Sequence, residues 1–198
     1  MKWTGLTGGI ATGKSTAKKL IEGLGYPVID ADQISHKLTE PGEPGYQSIV
    51  SQFGRDILIA GSDLIDRKKL GAKVFASLPE REKLEKILHP LIQKEVQAQR
   101  EEFRRRSHTI CFYDVPLLFE KSMQSQFDTT ILIWCDPGTQ LKRLMRRSGH
   151  TEEEARLRMG NQMSLVEKVK LADFCVDNSG DEADLEKQLK RLLPRLSF

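Results

Sequence analysis

Gly8-Gly9-Ile10-Ala11-Thr12-Gly13-Lys14-Ser15, followed by Thr16, fits G-x-x-x-x-G-K-[ST], a pattern that wraps a glycine-rich turn around a phosphate chain. Each residue type has a physical task. Glycine admits a tight turn where a Cβ would collide or force a disfavoured φ. The successive N–H groups then point inward, and a helix starting near Lys14 adds the positive end of its dipole. Lys14 is placed to reach the β- and γ-phosphates, and the Ser15 hydroxyl to complete the coordination of Mg²⁺. Gly9, Ile10, Ala11, Thr12, Gly13, Lys14, Ser15 and Thr16 are thus candidate contacts for a nucleoside triphosphate.

Short glycine-rich matches also arise by chance, so the flanking sequence decides. Lys2 to Thr7 reads as a strand entering the loop. Thr16 to Leu24 carries apolar residues at helical spacing, with Gly25 as a stop. Strand, loop and helix follow in the order that the chemistry needs.

A chain of 198 residues is long enough for one domain with a real core and room for inserted sub-domains. Its 38% hydrophobic and 30% charged residues are the balance of an ordinary globular protein. The net charge of +3 suits anionic substrates but is too small to argue for nucleic acid. Cys111, Cys135 and Cys175 each lie in an apolar strand-like run, far apart in sequence. They read as small core hydrophobes and fit a reducing compartment. No apolar run approaches a membrane span and no signal-type segment opens the chain, so the expected location is the cytoplasm.

After the first helix, Tyr26 to Asp30 reads as a second strand, and Gln33 to Thr39 turns helical. In open α/β sheets the ligand crevice lies beyond the carboxyl ends of the strands, on the same edge as the phosphate loop. Either Asp30 or Asp32 can cap the helix that follows. We read Asp32 as the working carboxylate, accepting a hydrogen bond from a substrate hydroxyl and orienting it for attack. A turn cluster, Glu40 to Gly45, then opens a helical stretch that runs to about Arg106 without a convincing strand series. Its long charged helical region from Glu80 to Arg106 is expected to kink or restart at His89-Pro90. The stretch exceeds what a crossover needs and reads as an inserted sub-domain able to cover a bulky acceptor.

Thr109 to Val115 and Thr129 to Cys135 have the near-continuous apolar character of buried parallel strands. Asp114 sits near the end of the first of them. It either contacts Mg²⁺ through water or is satisfied by backbone N–H groups. A helix with Arg143, Arg146 and Arg147 follows, then a second that begins at the capping box Thr151–Glu154 and carries Arg156, Arg158 and Gln162. Each arginine taken singly fits a solvated helix face. As a group they suit a lid that neutralises charge on a transferred phosphoryl group. Ala172 to Asn178 supplies a fifth strand, and a helix from Asp181 to Leu193 closes the chain.

The pattern predicts an α/β protein: a five-stranded parallel sheet flanked by helices, of the kinase type of phosphate-loop enzymes. One domain is expected over residues 1–198, its core at about 1–32, 107–137 and 171–198. A helical acceptor-binding insertion is expected at about 33–106 and a helical lid at about 138–170. The chemistry indicated is phosphoryl transfer with ATP or GTP and Mg²⁺. The guanine-specific Asn-Lys-x-Asp and the transporter-type Leu-Ser-Gly-Gly-Gln are both missing from the chain.

The sequence resembles the dephospho-CoA kinase family along nearly its whole length. The resemblance rests on an ordered set. It takes in Gly5 to Ile10 entering the loop, Asp30-Ala31-Asp32 with His36, His89-Pro90, and Asp114-Val115-Pro116-Leu117-Leu118-Phe119-Glu120. It continues with Gln140 to Leu144, Arg158 with Gln162, and Ala172-Asp173 with Asn178. It implies ATP-dependent phosphorylation of the ribose 3′-hydroxyl of dephospho-CoA, with Asp32 as base and ATP and Mg²⁺ as cofactors. It also implies Arg143 and Arg147 on the transferred phosphate, Asn178 near adenine, and an acceptor held by His89, Leu117, Phe119 and Glu120. Ala11 and Thr12 stand where many members have Gly and Ser. The expected partner is the small-molecule acceptor, with no nucleic acid or membrane and a monomer as the default. The rival readings are a phosphate-loop kinase for another hydroxyl acceptor and a nucleotide-binding switch that catalyses no transfer.

Overall fold

A computed structural model describes residues 1–196. Its contacts divide the chain into two units, Met1–Ile29 with Glu102–Phe198, and Asp30–Glu101. The end of the expected core at 197–198 lies outside the described residues.

Along the chain, β1 (Lys2–Gly8) leads through the glycine loop into α1 (Lys14–Gly23), and β2 (Val28–Asp30) into α2 (Ala31–Leu38). There follow α3 (Pro44–Phe53), α4 (Arg67–Ala76) and α5 (Leu78–Arg105), then β3 (Ile110–Asp114) and β4 (Thr129–Trp134). The last part comprises α6 (Pro137–Ser148), α7 (Glu152–Gly160), α8 (Leu165–Leu171), β5 (Phe174–Asp177) and α9 (Glu182–Leu192). The sheet order is β2-β3-β1-β4-β5, with β1 parallel to β3 and β4, and β4 parallel to β5.

In the sheet unit, alternate residues of the strands serve opposite faces. Ile131 and Ile133 join Leu6, Phe112 and Val176 under Ala17 and Ile21 of α1 and Leu185 and Leu189 of α9. Leu132 between them turns to the other face, with Val115, Leu118 and Phe119. Each fully buried aliphatic or aromatic side chain of this kind contributes roughly 1.5–3 kcal/mol. Because β1 is the central strand, this packing fixes the loop at its end.

Cys111 and Cys135 are buried as expected, but Cys175 is exposed. It lies on β5, the last strand in the sheet order, where one side has no neighbour to cover it. In the other unit, Ile49, Phe53, Ile57, Leu70 and Val74 form a separate core. The helix does not restart at His89-Pro90: α5 runs for 28 residues with Pro90 inside. Proline there removes one hydrogen bond and crowds the carbonyl of Lys86. Leu84, Ile87 and Leu88 pack on that core around the same turn and hold the helix continuous.

The lid segment holds three helices where a pair was expected, and two of them start at capping boxes. Thr151 caps α7 with Glu154, and Ser164 caps α8 with Glu167. Hydrogen bonds from the Ser164 hydroxyl and N–H hold Glu167 below its usual 4.5, and the Thr151 N–H does the same first for Glu154. A folded value below the unfolded one means stability that is full above pH 4.5 and lost as pH falls through the depressed value. Amide protection of Ser164 and Thr151 is therefore expected to drop on acidification through that range. In Glu167→Ala the Ser164 response is expected to disappear; wild-type protection indifferent to pH would show that the carboxylates do not hold these caps.

Candidate active site

A cavity of about 740 Å³ opens where β1 and β5 end. The glycine loop forms its floor, except that Thr12 does not line it: its side chain is buried and its hydroxyl donates to Gly9 O at 2.9 Å. Gly9, Ile10, Ala11, Gly13, Lys14, Ser15 and Thr16 all face the space. Ala11 and Gly13 have left-handed φ of 59° and 88°, which curls the backbone into a concave nest. A Cβ on Gly13 would stand 2.0 Å from Asn178 Nδ2, so conformation and space both require glycine there.

The polarity of the loop is sorted. Gly9 O accepts from Thr12 N–H at 3.3 Å as well as from the Thr12 hydroxyl. Ile10 O accepts from Gln140 Nε2 at 2.8 Å, and Thr12 O from Asn178 Nδ2 at 2.7 Å. Gly13 O accepts from the N–H groups of Thr16 and Ala17 of α1, each at 3.0 Å. Among the described residues, the N–H groups of Ala11, Gly13, Lys14 and Ser15 have no protein partner. Four unpaired donors at a helix start make a site for an anion.

Lys14 stands beside them and forms an ion pair with Asp114 at the end of β3. Asp114 is only 6% exposed and lies opposite Leu6 in the β1–β3 register. Ser15 and Asp114 together offer a hydroxyl and a carboxylate, hard oxygen donors of the kind Mg²⁺ takes when phosphates complete its shell. On the opposite wall are Arg143, Arg146 and Arg147 of α6. Arg143 donates to Asn178 O at 2.6 Å and Gly180 O at 3.1 Å. A guanidinium has five N–H donors, so this leaves donors for a ligand while tying the turn after β5 to the lid helix. Asn178 was read from sequence as a residue near adenine; its side-chain N–H donates to the loop, and it lines the cavity beside Gly180, Asp181 and Glu182.

The loop after β3 divides its residues. Leu117 is 36% exposed, whereas Phe119 is 2% exposed and packs with Val115, Leu118 and Leu132. Phe119 is therefore core, and its expected contact with a ligand is withdrawn. Glu120 Oε1 accepts Met163 N–H at 3.3 Å and lies 2.7 Å from Nζ of the fully buried Lys168. This carboxylate braces segment 163–168 through its Oε1.

In the helical unit, Asp30 is the N-cap of α2, accepting from Gln33 N–H at 2.9 Å. Asp32 lies in the first turn of α2, exposed and without a capping bond. His89 is exposed on α5. Sequence reasoning assigned no role to Gln140, Gln162 or Lys168, all of which make contacts at the loop or the lid base. The signal was present: Gln140 shares the buried stripe of α6 with Leu144, and a polar group on such a stripe needs a partner.

Comparison with known proteins follows the same lines. A family model described as dephospho-CoA kinase matches residues 2–195. The dephospho-CoA kinase of Listeria monocytogenes is 42% identical over 194 residues, covering 98% of this chain and 96% of that one. The corresponding protein of Geobacillus kaustophilus is 44% identical over 189 residues, with 96% and 94% covered. Among solved structures, dephospho-CoA kinase from Campylobacter jejuni superposes with a TM-score of 0.73 at 30% identity, covering 98% of this chain and 96% of that chain. Near-complete coverage at these identities, on a sheet and phosphate loop of this construction, shows that the chain belongs to the dephospho-CoA kinase family.

Proposed function

We propose that this chain carries out the reaction its family is named for, moving the γ-phosphoryl group of ATP to the ribose 3′-hydroxyl of dephospho-CoA to give coenzyme A and ADP. The observation that carries the reading is the set of unpaired N–H groups of Ala11, Gly13, Lys14 and Ser15, at a cavity lined by Lys14, Arg143, Arg146 and Arg147. A polyanion is the ligand that such a surface selects.

Asp32 accepts the proton of the 3′-hydroxyl as its oxygen attacks the γ-phosphorus, and the bridging bond to the β-phosphate breaks to release ADP. Lys14, the arginines of α6 and the loop N–H groups stabilise charge on the transferred group and on the leaving oxygens. Ser15 and Asp114 would hold Mg²⁺, which when bound would supply further positive charge to the phosphates. His89 of the helical unit 30–101 and Leu117 of the loop after β3, both exposed, are taken as acceptor contacts. Residues 138–170 act as the lid, whose closure excludes water and suppresses wasteful hydrolysis.

With Mg-ATP, ADP release is expected to depend on dephospho-CoA and to yield a product one phosphate heavier. ADP release indifferent to dephospho-CoA would leave the phosphate site standing and overturn this acceptor. Asp32→Asn is expected to lower kcat by about 10²–10⁴-fold with ADP affinity unchanged, the size of a lost general base. Near-normal turnover would sink the assignment. Lys14→Ala is expected to lower kcat by about 10²–10³-fold, the range for one lost charge-stabilising donor, and to weaken ADP binding as well. Retained kcat in that variant would remove Lys14 from the transition state.

A further inference from the structure

Ile10 lies at the turn of the phosphate loop, and two glutamines grip it from opposite sides. Its N–H donates to Gln162 Oε1 at 2.8 Å, and its carbonyl accepts from Gln140 Nε2 at 2.8 Å. Both come from the lid segment, Gln140 from α6 and Gln162 from the link between α7 and α8. Gln140 is 5% exposed, whereas Gln162 is half-buried at the cavity wall.

Peptide planarity turns these grips into a statement about the next residue. The Ile10 carbonyl and the Ala11 N–H belong to one trans peptide and point in opposite directions. Holding the carbonyl on Gln140 therefore fixes the direction of the Ala11 N–H, one of the unpaired donors at the cavity. The preceding peptide is pinned likewise, with Gly9 O on Thr12 and Ile10 N–H on Gln162. Ala11 keeps a φ of 59°, which costs a residue with a Cβ roughly 1–2 kcal/mol, so something outside it must hold the turn. The link bearing Gln162 is anchored in its turn by Met163 N–H on Glu120 and by Lys168 against the same carboxylate.

We propose that Gln140 and Gln162 are positioning residues for the nucleotide: through the Ile10 peptides they aim the Ala11 N–H at a phosphate, and so make phosphate-loop geometry depend on the lid. The inference rests on the nucleotide-binding reading of the loop and not on the identity of the acceptor.

The test uses Gln140→Leu and Gln162→Leu, which keep side-chain bulk and delete the hydrogen bonds, with ADP as the probe. Each is expected to raise the ADP Kd and the KM for Mg-ATP about threefold to tenfold, the worth of one hydrogen bond, with the KM for dephospho-CoA unmoved. The Ala11 amide resonance should shift on ADP addition in the wild type and shift less in both variants. Gln162→Glu retains an acceptor and is expected to keep the Ile10 amide protected from exchange, while Gln162→Leu loses that protection. Gln162 is only half-buried, so Gln162→Leu folds and carries the test alone if Gln140→Leu does not. Unchanged ADP Kd in the folded Leu variants overturns the proposal, even with Ile10 exchange accelerated, because the bonds then serve only the fold. A wild-type chain that binds no ADP overturns the nucleotide reading itself, and normal ADP binding without transfer to dephospho-CoA overturns only the acceptor.

Discussion

A phosphate loop works only while its N–H groups stay unpaired, and a tight turn left to itself pairs N–H with its own carbonyls. The construction here resolves that conflict by holding the carbonyls from outside. Thr12 takes Gly9 O, Gln140 takes Ile10 O, and Asn178 takes Thr12 O. On the far side of these peptides Ile10 N–H meets Gln162, while the N–H groups of Ala11 and Gly13 have no partner among the described residues and are left for a ligand. Much of the sheet unit follows from this: β5 must end where Asn178 reaches the loop, and α6 must start where Gln140 does. The 2.0 Å approach of Asn178 Nδ2 to the site of a Gly13 Cβ shows how closely the two segments are joined.

The same economy appears at the base of the lid. Lys168 has no exposed surface and sits against Glu120, with Met163 N–H on the same carboxylate. An ion pair taken out of water gains little on balance, yet losing one partner costs about 3–5 kcal/mol because the other charge is stranded. Such a pair tolerates few alternative arrangements of the loop after β3 and the start of α8. It fixes where the 162–164 link runs, and with it the side chain that reaches Ile10. The segment proposed as a lid is thus joined to the rest of the sheet unit at its base, while Arg146 and Arg147 remain exposed on the cavity wall.

How much of this is legible in the sequence depends on whether the signal is local. The phosphate loop, the strand before it and the helix after it are written in consecutive residues, and so are the Thr151–Glu154 capping box and the apolar runs of β3 and β4. The Asp30 cap of α2 was one of two readings that the chain left open, and geometry chose between them. What the sequence hides is set by pairs far apart in it. Gln162 meets Ile10 across 152 positions and Asn178 meets Thr12 across 166, and no periodicity carries such pairings. Phe119 misleads for a related reason. It stands in the turn after β3 between exposed Leu117 and charged Glu120, and that turn folds it with Leu118 into the core. Pro90 misleads in the opposite direction, since its local penalty is real and tertiary packing outweighs it.

The pairing of Lys14 with Asp114 completes the logic of the site. In this structure the lysine charge is neutralised by a carboxylate at the end of the neighbouring strand, with both side chains largely shielded from water. On the proposed reading, a triphosphate competes for the same lysine with several negative oxygens and four aligned N–H groups beside them. Exchange of partners then costs little, because Lys14 never passes through an unpaired state in a poorly solvated place. On the same reading the Asp114 carboxylate is a hard oxygen donor of the kind Mg²⁺ takes. A single carboxylate at the end of β3 would then serve Lys14 before the nucleotide arrives and the metal once it has.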